Sequence, residues 1–397
     1  MFAKTYGAAT LGVNGVLIDA EVDVSNGFPG FDVVGLLDTA VKESKERVRT
    51  AIKNSGVTLR QQKVTINLAP ADIRKDSPGL DLPIAVGLLI AYGVLPQKAA
   101  EGSLFAAELS LEGELRGVRG ILPMAVHARE KGISRFFVAR ENANEALLVD
   151  GIEVYAMTNL AELIAVLSGR QQIAPAKTTG TPPQEPSFGA EDFSDVEGQF
   201  LAKRAMEIAA AGGHNVLLAG VPGAGKTMLA RRLPTILPAM TREEALEVTK
   251  IYSIAGLLHQ GGGLMTERPF RSPHHTTSAA ALIGGGSVPR PGEVTLSHNG
   301  VLFLDELPEF GKTVLEVLRQ PLEDGKVTVA RVNATLTFPA RMLLVAAMNN
   351  GSATMIQGND TAKAQKNRHR WRSFLLWGEE KQRKNVLTAA WWQRVCA

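Results

Sequence analysis

A glycine-rich turn between a short apolar run and a helical stretch constrains this chain more than any other feature. Residues 214–230 read HNVLLAGVPGAGKTMLA. The turn fits the pattern G-x-x-x-x-G-K-[S/T] and consists of Gly220, Val221, Pro222, Gly223, Ala224, Gly225, Lys226 and Thr227. Such a turn lets consecutive backbone N–H groups face one phosphate, and a helix that begins near Lys226 adds the positive end of its dipole. The pattern therefore predicts an α/β domain with a phosphate site at this turn.

Two side chains of the turn have the chemistry that ATP and Mg²⁺ require. Lys226 supplies a mobile positive charge for the β- and γ-phosphates, and the Thr227 hydroxyl takes one position on Mg²⁺. A chance structural turn is the alternative, but the strand–loop–helix setting disfavours it. We therefore expect ATP and Mg²⁺ as cofactors, with Gly220 to Thr227 as the residues that bind them.

Polar side chains follow two later apolar runs. In HNGVLFLDELPEF, four apolar residues end in Asp305 and Glu306, which is the form of a buried parallel strand. Because α/β sheets place ligands at the carboxyl ends of their strands, Asp305 is predicted to hold Mg²⁺ and Glu306 to polarise the attacking water. A helix N-cap is the structural alternative for the acidic pair. The run ARMLLVAAMNN predicts a second strand, with Asn349 beside the catalytic water or the γ-phosphate.

Local pattern and composition divide the chain into four segments. Residues 1–168 alternate β-rich runs such as KVTINLA with helical stretches, which predicts a compact α+β domain. Residues 169–191 are rich in Pro, Gly, Thr and Gln and predict a flexible linker. Residues 192–349 form the predicted α/β domain, and residues 350–397 are an atypical tail that we expect to be disordered.

The excess of basic over acidic residues lies in the tail. Nine of the 43 Lys and Arg residues but three of the 40 Asp and Glu residues follow residue 350, so the net charge of +3 becomes −3 without them. All four tryptophans also lie in the tail. A basic and aromatic nucleic-acid arm is one interpretation. A segment of different origin, such as a shifted reading frame, is the favoured one.

Little in the composition suggests secretion or a membrane. The first residues show no basic region followed by an apolar core, and the chain has one cysteine, Cys396. The longest apolar run, LPIAVGLLIAYGVLP, is too short to span a bilayer comfortably and predicts a buried helix. A cytoplasmic protein with no membrane partner is expected.

Several stretches closely resemble the YifB/ComM family of AAA+ proteins, relatives of the magnesium-chelatase ATPase subunit ChlI. They include GQFLAKRAMEIAAAGGHNVLLAGVPGAGKTMLARRLP, RPFRSPHHTTSAAALIGGG and PRPGEVTLSHNGVLFLDELPEF. The resemblance covers residues 1–349 and implies a Lon-protease-like domain followed by an AAA+ P-loop ATPase core. It implies that Gly220 to Thr227 are Walker A, Asp305 and Glu306 are Walker B, and Asn349 is sensor 1. It further implies a homo-hexameric ring in full-length relatives, with DNA as partner in branch migration during natural transformation.

The resemblance also assigns two insertions. PFRSPHHTTSAAALIGGG corresponds to the helix-2 insertion and GKVTVARVNATLTFPA to the hairpin before sensor 1, both of which point into the ring pore in this family. Contacts of Arg268, Arg271, His274 and His275 with DNA phosphates are a hypothesis that follows from this position. A metal site at the two histidines is disfavoured, because no carboxylate or cysteine lies at ligand spacing.

The amino-terminal domain is not expected to be a peptidase. The positions of the nucleophilic serine and the lysine of Lon-type proteases correspond to Gly79 and Leu122, which offer neither a hydroxyl nor an amine. Ser77 lies nearby, but a turn role in DSPG is expected for it. Labelling of this loop by a serine-reactive probe would contradict that expectation.

The resemblance ends at Asn349. Relatives continue with a proline and then a helical lid that carries an arginine finger and a sensor 2 arginine, a pattern that residues 350–397 lack. An arginine finger contributes about 10³- to 10⁵-fold in rate, so we expect a lid-less core with impaired hydrolysis. Arg368, Arg370 and Arg372 are not taken as substitutes. The alternatives are a magnesium-chelatase-type ATPase subunit and a truncated, non-catalytic nucleotide-binding module.

Overall fold

The computed structural model describes residues 1–36, 39–73, 75, 77–177, 191–258, 263–285, 290–331, 334–349 and 386–387. The chain forms two compact units, Met1–Pro183 with Thr249–Leu264 and Gln184–Val248 with Met265–Ala397. Within the described part, none of the helices has both the length and the apolar character that crossing a bilayer requires.

The first unit is built on a mixed seven-stranded sheet. Its strands are β1 (Phe2–Leu11), β2 (Asn14–Ser25), β3 (Gly30–Val34), β4 (Lys63–Ala69), β5 (Ser103–Ala106), β6 (Glu108–Leu109), β7 (Leu115–Arg116), β8 (Arg135–Ala139) and β9 (Glu153–Met157). Its helices are α1 (Thr39–Asn54), α2 (Asp81–Ala91), α3 (Ile121–Glu130), α4 (Ala143–Ala146) and α5 (Leu160–Leu167). The sheet order is β3-β4-β2-β1-β5-β8-β9, with β6 and β7 pairing separately.

Helix α2 is the centre of the first unit's core. Every residue from Asp81 to Ala91 is buried, and the helix packs against β1 and β2. The prediction of a buried helix in this apolar run is therefore confirmed. The one carboxylate on it, Asp81, accepts hydrogen bonds from Arg47 Nε at 2.9 Å and from Leu109 N at 3.2 Å. Paired in this way, the charge is tolerated inside an apolar core.

The second unit is built on a parallel five-stranded sheet. Its strands are β10 (Asn215–Gly220), β11 (Phe270–Arg271), β12 (Gly284–Gly285), β13 (Arg290–Pro291), β14 (Val301–Leu304), β15 (Lys326–Arg331), β16 (Ala334–Pro339), β17 (Leu343–Asn349) and β18 (Val386–Leu387). Its helices are α6 (Phe200–Gly212), α7 (Lys226–Arg232), the first half of α8 (Arg242–Ala255), α9 (Ala279–Ile283), α10 (Glu293–Leu296), α11 (Lys312–Glu316) and α12 (Arg319–Asp324). The sheet order is β11-β14-β17-β10-β18, and all four neighbouring pairs are parallel.

Apolar side chains fix the centre of this sheet. All four residues of β14 and the first five of β17 are buried, as expected for parallel strands covered on both faces. Gly220 pairs with Asn349, and Leu304 pairs with Ala346. Three central strands therefore end at one edge of the sheet: β10 at the first residue of the glycine-rich turn, β14 directly before the acidic pair, and β17 at Asn349. The second unit has the α/β class that the sequence predicts.

Two predicted segments are described only in part. Ile173 packs against the core of the first unit, and Ala176 N donates to Val154 O at 2.7 Å, so this unit continues past Ser168 into the first part of the predicted linker. Residues 178–190 lie outside the described residues. The predicted lid-less, disordered tail also lies outside them except for β18, which pairs with Asn215 and Val216 of β10.

Candidate nucleotide site

The glycine-rich turn has the backbone of a phosphate loop. β10 ends at Gly220 and α7 begins at Lys226. Gly223 and Gly225 have φ values of +79° and +78°, a left-handed conformation that L side chains rarely adopt. A Cβ on Gly223 would meet no atom within 4 Å, so the backbone conformation, and not a lack of space, requires glycine there. The open side of the turn is solvent-exposed from Val221 to Gly223, where a phosphate group would fit.

The lysine of the turn contacts both the loop and the neighbouring strand end. Lys226 Nζ donates to Gly220 O at 3.1 Å, to Val221 O at 2.9 Å and to Asn349 Oδ1 at 2.9 Å. The last contact spans 123 positions of sequence and exists because β10 and β17 are adjacent in the sheet. The ammonium group is thereby held at the mouth of the turn.

The threonine of the turn contacts the acidic pair. Thr227 Oγ1 donates to Asp305 Oδ2 at 2.8 Å, and Glu306 N donates to Asp305 Oδ1 at 2.9 Å. A hydroxyl and a carboxylate in contact are hard oxygen ligands of the kind that Mg²⁺ prefers. Among the described residues, no group of three or more His, Cys, Asp or Glu side chains could hold a metal ion. The donor set fits Mg²⁺, which typically takes one or two carboxylates and completes its shell with water and phosphate oxygens.

Glu306 lies at the same strand end but faces a different neighbour. Its backbone is left-handed, with φ of +49° and ψ of +48°, and its side chain is exposed. Its Oε2 lies 3.6 Å from His275 Nδ1. The His275 ring in turn lies against the His274 ring, with centroids 4.0 Å apart. Sequence reasoning considered this histidine pair as phosphate or metal ligands and missed the contact with Glu306, because nothing local connects residues 31 positions apart.

A second contact that the sequence did not reveal supports the turn from outside. Gln199, directly before α6, has a left-handed φ of +51° and donates from Nε2 to Ala224 O at 2.6 Å. The pattern of apolar residues predicts α6 but says nothing about the side chain that precedes it. Gln199 thereby ties the start of α6 to the middle of the turn.

Arg271 of the predicted helix-2 insertion and Arg268, two residues upstream of Phe270, make internal contacts. Arg271 forms a bidentate pair with Glu293, at 2.6 Å from Nε and 2.9 Å from Nη2. Arg268 donates to Pro238 O, to Asn299 O and to Glu244 at 2.6, 2.6 and 3.0 Å. These contacts stabilise the second unit and engage the guanidinium groups, which argues against the hypothesis that both arginines contact DNA phosphates.

A cleft of about 560 Å³ lies at the opposite end of the sheet. It is lined by Asn215, Gly300 and Leu343, which lie at or directly before the first residues of the three central strands, and by Arg268 and Arg341. The cleft lies at the amino ends of these strands, whereas the candidate nucleotide site lies at their carboxyl ends, where α/β sheets bind ligands. The two are therefore separate.

Gly79 and Leu122, which correspond to the serine and lysine positions of Lon-type proteases, are both buried in the first unit. Gly79 is buried, and a Cβ there would lie 3.1 Å from Ser77 Oγ and 3.3 Å from a methyl group of Val118. Leu122 is also buried, and its N–H donates to Glu145 Oε1 at 2.7 Å. Burial raises the pKa of the Glu145 carboxyl, against hydrogen bonds that lower it. Ser77 caps the turn that follows it, so the turn role predicted for this serine is confirmed.

A parallel sheet with a glycine-rich turn, an acidic pair and an asparagine at three adjacent strand ends fits the class of AAA+ proteins. Comparisons with known proteins agree. The family model described as magnesium chelatase, subunit ChlI, matches residues 192–375, so the expectation that the resemblance ends at Asn349 is wrong. A second model, subunit ChlI of Mg-chelatase, matches residues 20–142.

Individual relatives identify the family within this class. The chain is 45% identical over 353 residues to competence protein ComM of Haemophilus influenzae, covering 87% of this chain and 68% of ComM. It is also 45% identical over 351 residues to YifB of Escherichia coli, covering 88% of this chain and 68% of YifB. A weaker similarity, 25% over 171 residues, relates 40% of the chain to 22% of Lon protease of Mycolicibacterium smegmatis. The chain belongs to the ComM/YifB family and spans about two thirds of the length of these two family members.

Proposed function

We propose that the second unit binds ATP with Mg²⁺ at the turn from Gly220 to Thr227. The observation that carries this proposal is the pair of long-range hydrogen bonds Lys226–Asn349 and Thr227–Asp305. They bring a phosphate loop, a carboxylate and an amide together from three separate strand ends. Membership of the magnesium-chelatase and ComM/YifB group supports a nucleotide as the ligand.

Each side chain has a defined task in this proposal. Lys226 would exchange its carbonyl and Asn349 contacts for phosphate oxygens and neutralise their charge. Thr227 and Asp305 would hold Mg²⁺, which supplies charge neutralisation between the β- and γ-phosphates. Glu306 would orient and polarise the attacking water, and Asn349 would fix the position of that water or of the γ-phosphate.

Slow turnover by the 397-residue chain on its own is part of the proposal. No arginine finger is recognised within residues 350–397, and such a residue contributes about 10³- to 10⁵-fold in rate. A chain that acts without one would bind ATP and hydrolyse it slowly. A wholly non-catalytic binding module is the outcome that the experiment below distinguishes.

DNA is the proposed target of the motor, and the family resemblance supports it. One relative is named competence protein ComM, and the resemblance to this family implies DNA as the partner. A cytoplasmic location is part of the proposal. The β15–β16 hairpin, which the sequence predicted before sensor 1, is present, with Lys326 paired to Pro339 and Arg331 paired to Ala334. A homo-hexameric ring with this hairpin towards its pore would act on a DNA strand. Stimulation of ATP turnover by DNA is the expected result.

Lys226→Ala tests nucleotide binding directly. Charge-assisted hydrogen bonds contribute about 1.5–3 kcal/mol, so the affinity for a fluorescent ATP analogue should fall about 10- to 150-fold. The control is Lys312→Ala, because Lys312 is exposed and its ammonium group pairs with Glu316 on the same helix, α11. Equal affinity of both variants and the unmodified chain would refute the proposed site.

Glu306→Gln separates binding from hydrolysis. This variant should keep its affinity for the analogue while turnover falls about 10²- to 10⁴-fold, the usual contribution of a general base. Single-turnover measurements with radiolabelled ATP detect slow hydrolysis. If the unmodified chain binds the analogue but hydrolyses ATP no faster than Glu306→Gln, the chain is a non-catalytic nucleotide-binding module.

A further inference from the structure

Helix α8 (Arg242–Ala255) begins in the second unit and ends in the first. The division between the units falls at Thr249, so the helix from this residue onwards belongs to the first unit. No other described helix belongs to both units. In this later part Thr249, Ile251 and Ser253 are buried, although two of them are polar. The end of α8 is therefore an ordered part of the first unit.

Ser253 joins the end of α8 to a buried carboxylate. Its hydroxyl donates to Glu145 Oε1, and the same oxygen accepts a hydrogen bond from Leu122 N at 2.7 Å. Leu122 corresponds to the lysine position of Lon-type proteases, so the helix ends beside one half of the lost catalytic pair. We call Glu145 together with residues 117–122 the helix dock.

The helix dock also contacts the chain directly after Ser253. Gly256, which follows the helix, has a φ of +70°, and a Cβ there would lie 2.4 Å from Arg119 Nε. A Cβ on Gly120 would lie 3.8 Å from Ile254 Cγ1, an ordinary van der Waals distance. Arg119 therefore lies directly over the chain at the end of the helix.

Burial makes the contact between Ser253 and Glu145 stronger than a pair on the surface. Glu145 is 5% exposed. Burial raises the pKa of its carboxyl above the ordinary value, against hydrogen bonds from Ser253 and Leu122 that lower it. A buried carboxylate that loses a donor keeps its desolvation penalty uncompensated, whereas an exposed ion pair contributes little. Separation of α8 from Glu145 is therefore strongly unfavourable.

The first part of α8 holds the beginnings of two strands in the second unit. Glu244 accepts a hydrogen bond from Arg268 at 3.0 Å. Glu247 Oε2 lies 3.1 Å from His298 Nε2. Arg268 lies two residues before β11, and His298 lies three residues before β14, which ends directly before Asp305. A shift of α8 would therefore act on the strand that carries the proposed Mg²⁺ ligand.

We propose that the helix dock, at the lost protease site, binds the end of α8 and thereby communicates nucleotide binding to the first unit. The route is physically continuous, because the phosphate site, β14, α8 and the helix dock follow one another through the contacts above. Coupling of this kind is reciprocal, so the docked helix also strengthens nucleotide binding. This inference rests on the proposed binding of ATP and Mg²⁺ in the second unit.

Hydrogen exchange of the full chain tests the coupling. A slowly hydrolysed ATP analogue with Mg²⁺ should slow exchange in residues 117–122 at least about fivefold, the lower end of typical coupling factors. Ser253→Ala should remove this response, because alanine has no hydroxyl for Glu145. The control is Ser103→Ala, which removes another buried hydroxyl of the first unit, one that donates to Glu101 O, and should retain the response. The proposal is overturned if residues 117–122 of the unmodified chain do not respond, or if Ser253→Ala responds in full.

Exchange in β10 and α7 distinguishes failure of this inference from failure of the proposed function. Slower exchange there shows that the analogue is bound, so an unchanged helix dock then refutes the coupling alone. If neither part responds, the proposed ATP site itself fails.

Titration with a fluorescent ATP analogue gives a readout that does not depend on exchange. Because coupling is reciprocal, the affinity of Ser253→Ala should fall by about the factor by which the analogue slows exchange in the helix dock of the unmodified chain. Ser103→Ala should keep the affinity of the unmodified chain. An unchanged affinity in Ser253→Ala would contradict the coupling.

Discussion

His298 is a buried histidine three residues before β14. Its side chain is 1% exposed, its Nε2 lies 3.1 Å from Glu247 Oε2, and its Nδ1 accepts a hydrogen bond from Arg341 N at 3.0 Å. An accepting Nδ1 places the proton of the neutral ring on Nε2, where it is donated to Glu247. Burial lowers the pKa of His298, and Arg341 lowers it further, whereas Glu247 and Glu244 raise it.

His298 should make the second unit sensitive to acid. Because its pKa is lower folded than unfolded, the unfolded state binds the proton more readily, and stability that is complete above about pH 6.5 is lost as the pH falls through the folded pKa. His298→Gln should be less stable near neutrality, by about 1–3 kcal/mol for the disturbed buried hydrogen bonds. It should nevertheless lose less stability than the unmodified chain between about pH 7.5 and about pH 5.

Urea unfolding of both proteins at several pH values measures this difference. His274→Gln, at an exposed histidine, is the control for the substitution itself. If the free energy of unfolding falls equally with decreasing pH in His298→Gln and in the unmodified chain, His298 does not cause the loss of stability in acid.

At the scale of the secondary-structure element, the sequence predicted β10, β14 and β17, which carry the candidate nucleotide site, but not β11, which pairs with β14. The bounds of β4 and β14 coincide with the predicted runs, because each is a short apolar or alternating stretch with clear ends. β11 has only two residues, Phe270 and Arg271, and no apolar run marks it. Its place depends on pairing with β14 across 31 positions, which periodicity does not encode. The His275–Glu306 contact was missed for the same reason.

The candidate site was predictable in part because its residues follow the strands directly. Asp305 and Asn349 could be placed at one edge because parallel strands share the direction of their carboxyl ends. Sequence spacing could not predict the individual hydrogen bonds, in which Asn349 Oδ1 accepts from Lys226 and Asp305 Oδ2 accepts from Thr227. The contact of Gln199 with the turn depends on a left-handed backbone at a non-glycine residue, which sequence patterns do not predict.

Gly300→Ala should disturb the junction of β11 and β14. A Cβ at Gly300 would lie 2.1 Å from Pro269 O and 2.8 Å from Pro269 N, both backbone atoms that have little room to move. The hydrogen bond from Val301 N to Pro269 O, at 2.7 Å, would be strained or lost. We expect a loss of about 1–3 kcal/mol in the free energy of unfolding, as for other overpacked sites.

Chemical denaturation of Gly300→Ala checks this expectation against Gly30→Ala. Gly30 begins β3 in the first unit, and a Cβ there would meet only Phe28 O, at 3.8 Å. That control should change stability by less than about 0.5 kcal/mol. Equal stability of the two variants would show that the backbone at Pro269 adjusts without cost.

At the scale of the whole molecule, the two units have separate apolar cores. One consists of buried residues from the first unit, around α2 and its seven-stranded sheet. The other, which includes Met206, Leu229, Val301, Phe303 and Val345, lies within the second unit. The residues of the proposed nucleotide site all belong to the second unit. A ligand at that site should therefore stabilise the second unit in the first instance.

Hydrogen exchange with and without a slowly hydrolysed ATP analogue and Mg²⁺ tests where this stabilisation occurs. At a ligand concentration of about 100 times Kd, binding stabilises the folded state by about 2.7 kcal/mol, enough to slow exchange through unfolding about 100-fold. Slower exchange is expected in β10, α7, β14 and β17, which position the site, and not in β1, β2 and β4. At the same ligand concentration Lys226→Ala should reduce the stabilisation to about 0.3–1.4 kcal/mol, since its affinity is about 10- to 150-fold lower. Protection confined to the first unit, or undiminished in Lys226→Ala, would place the ligand elsewhere on the chain.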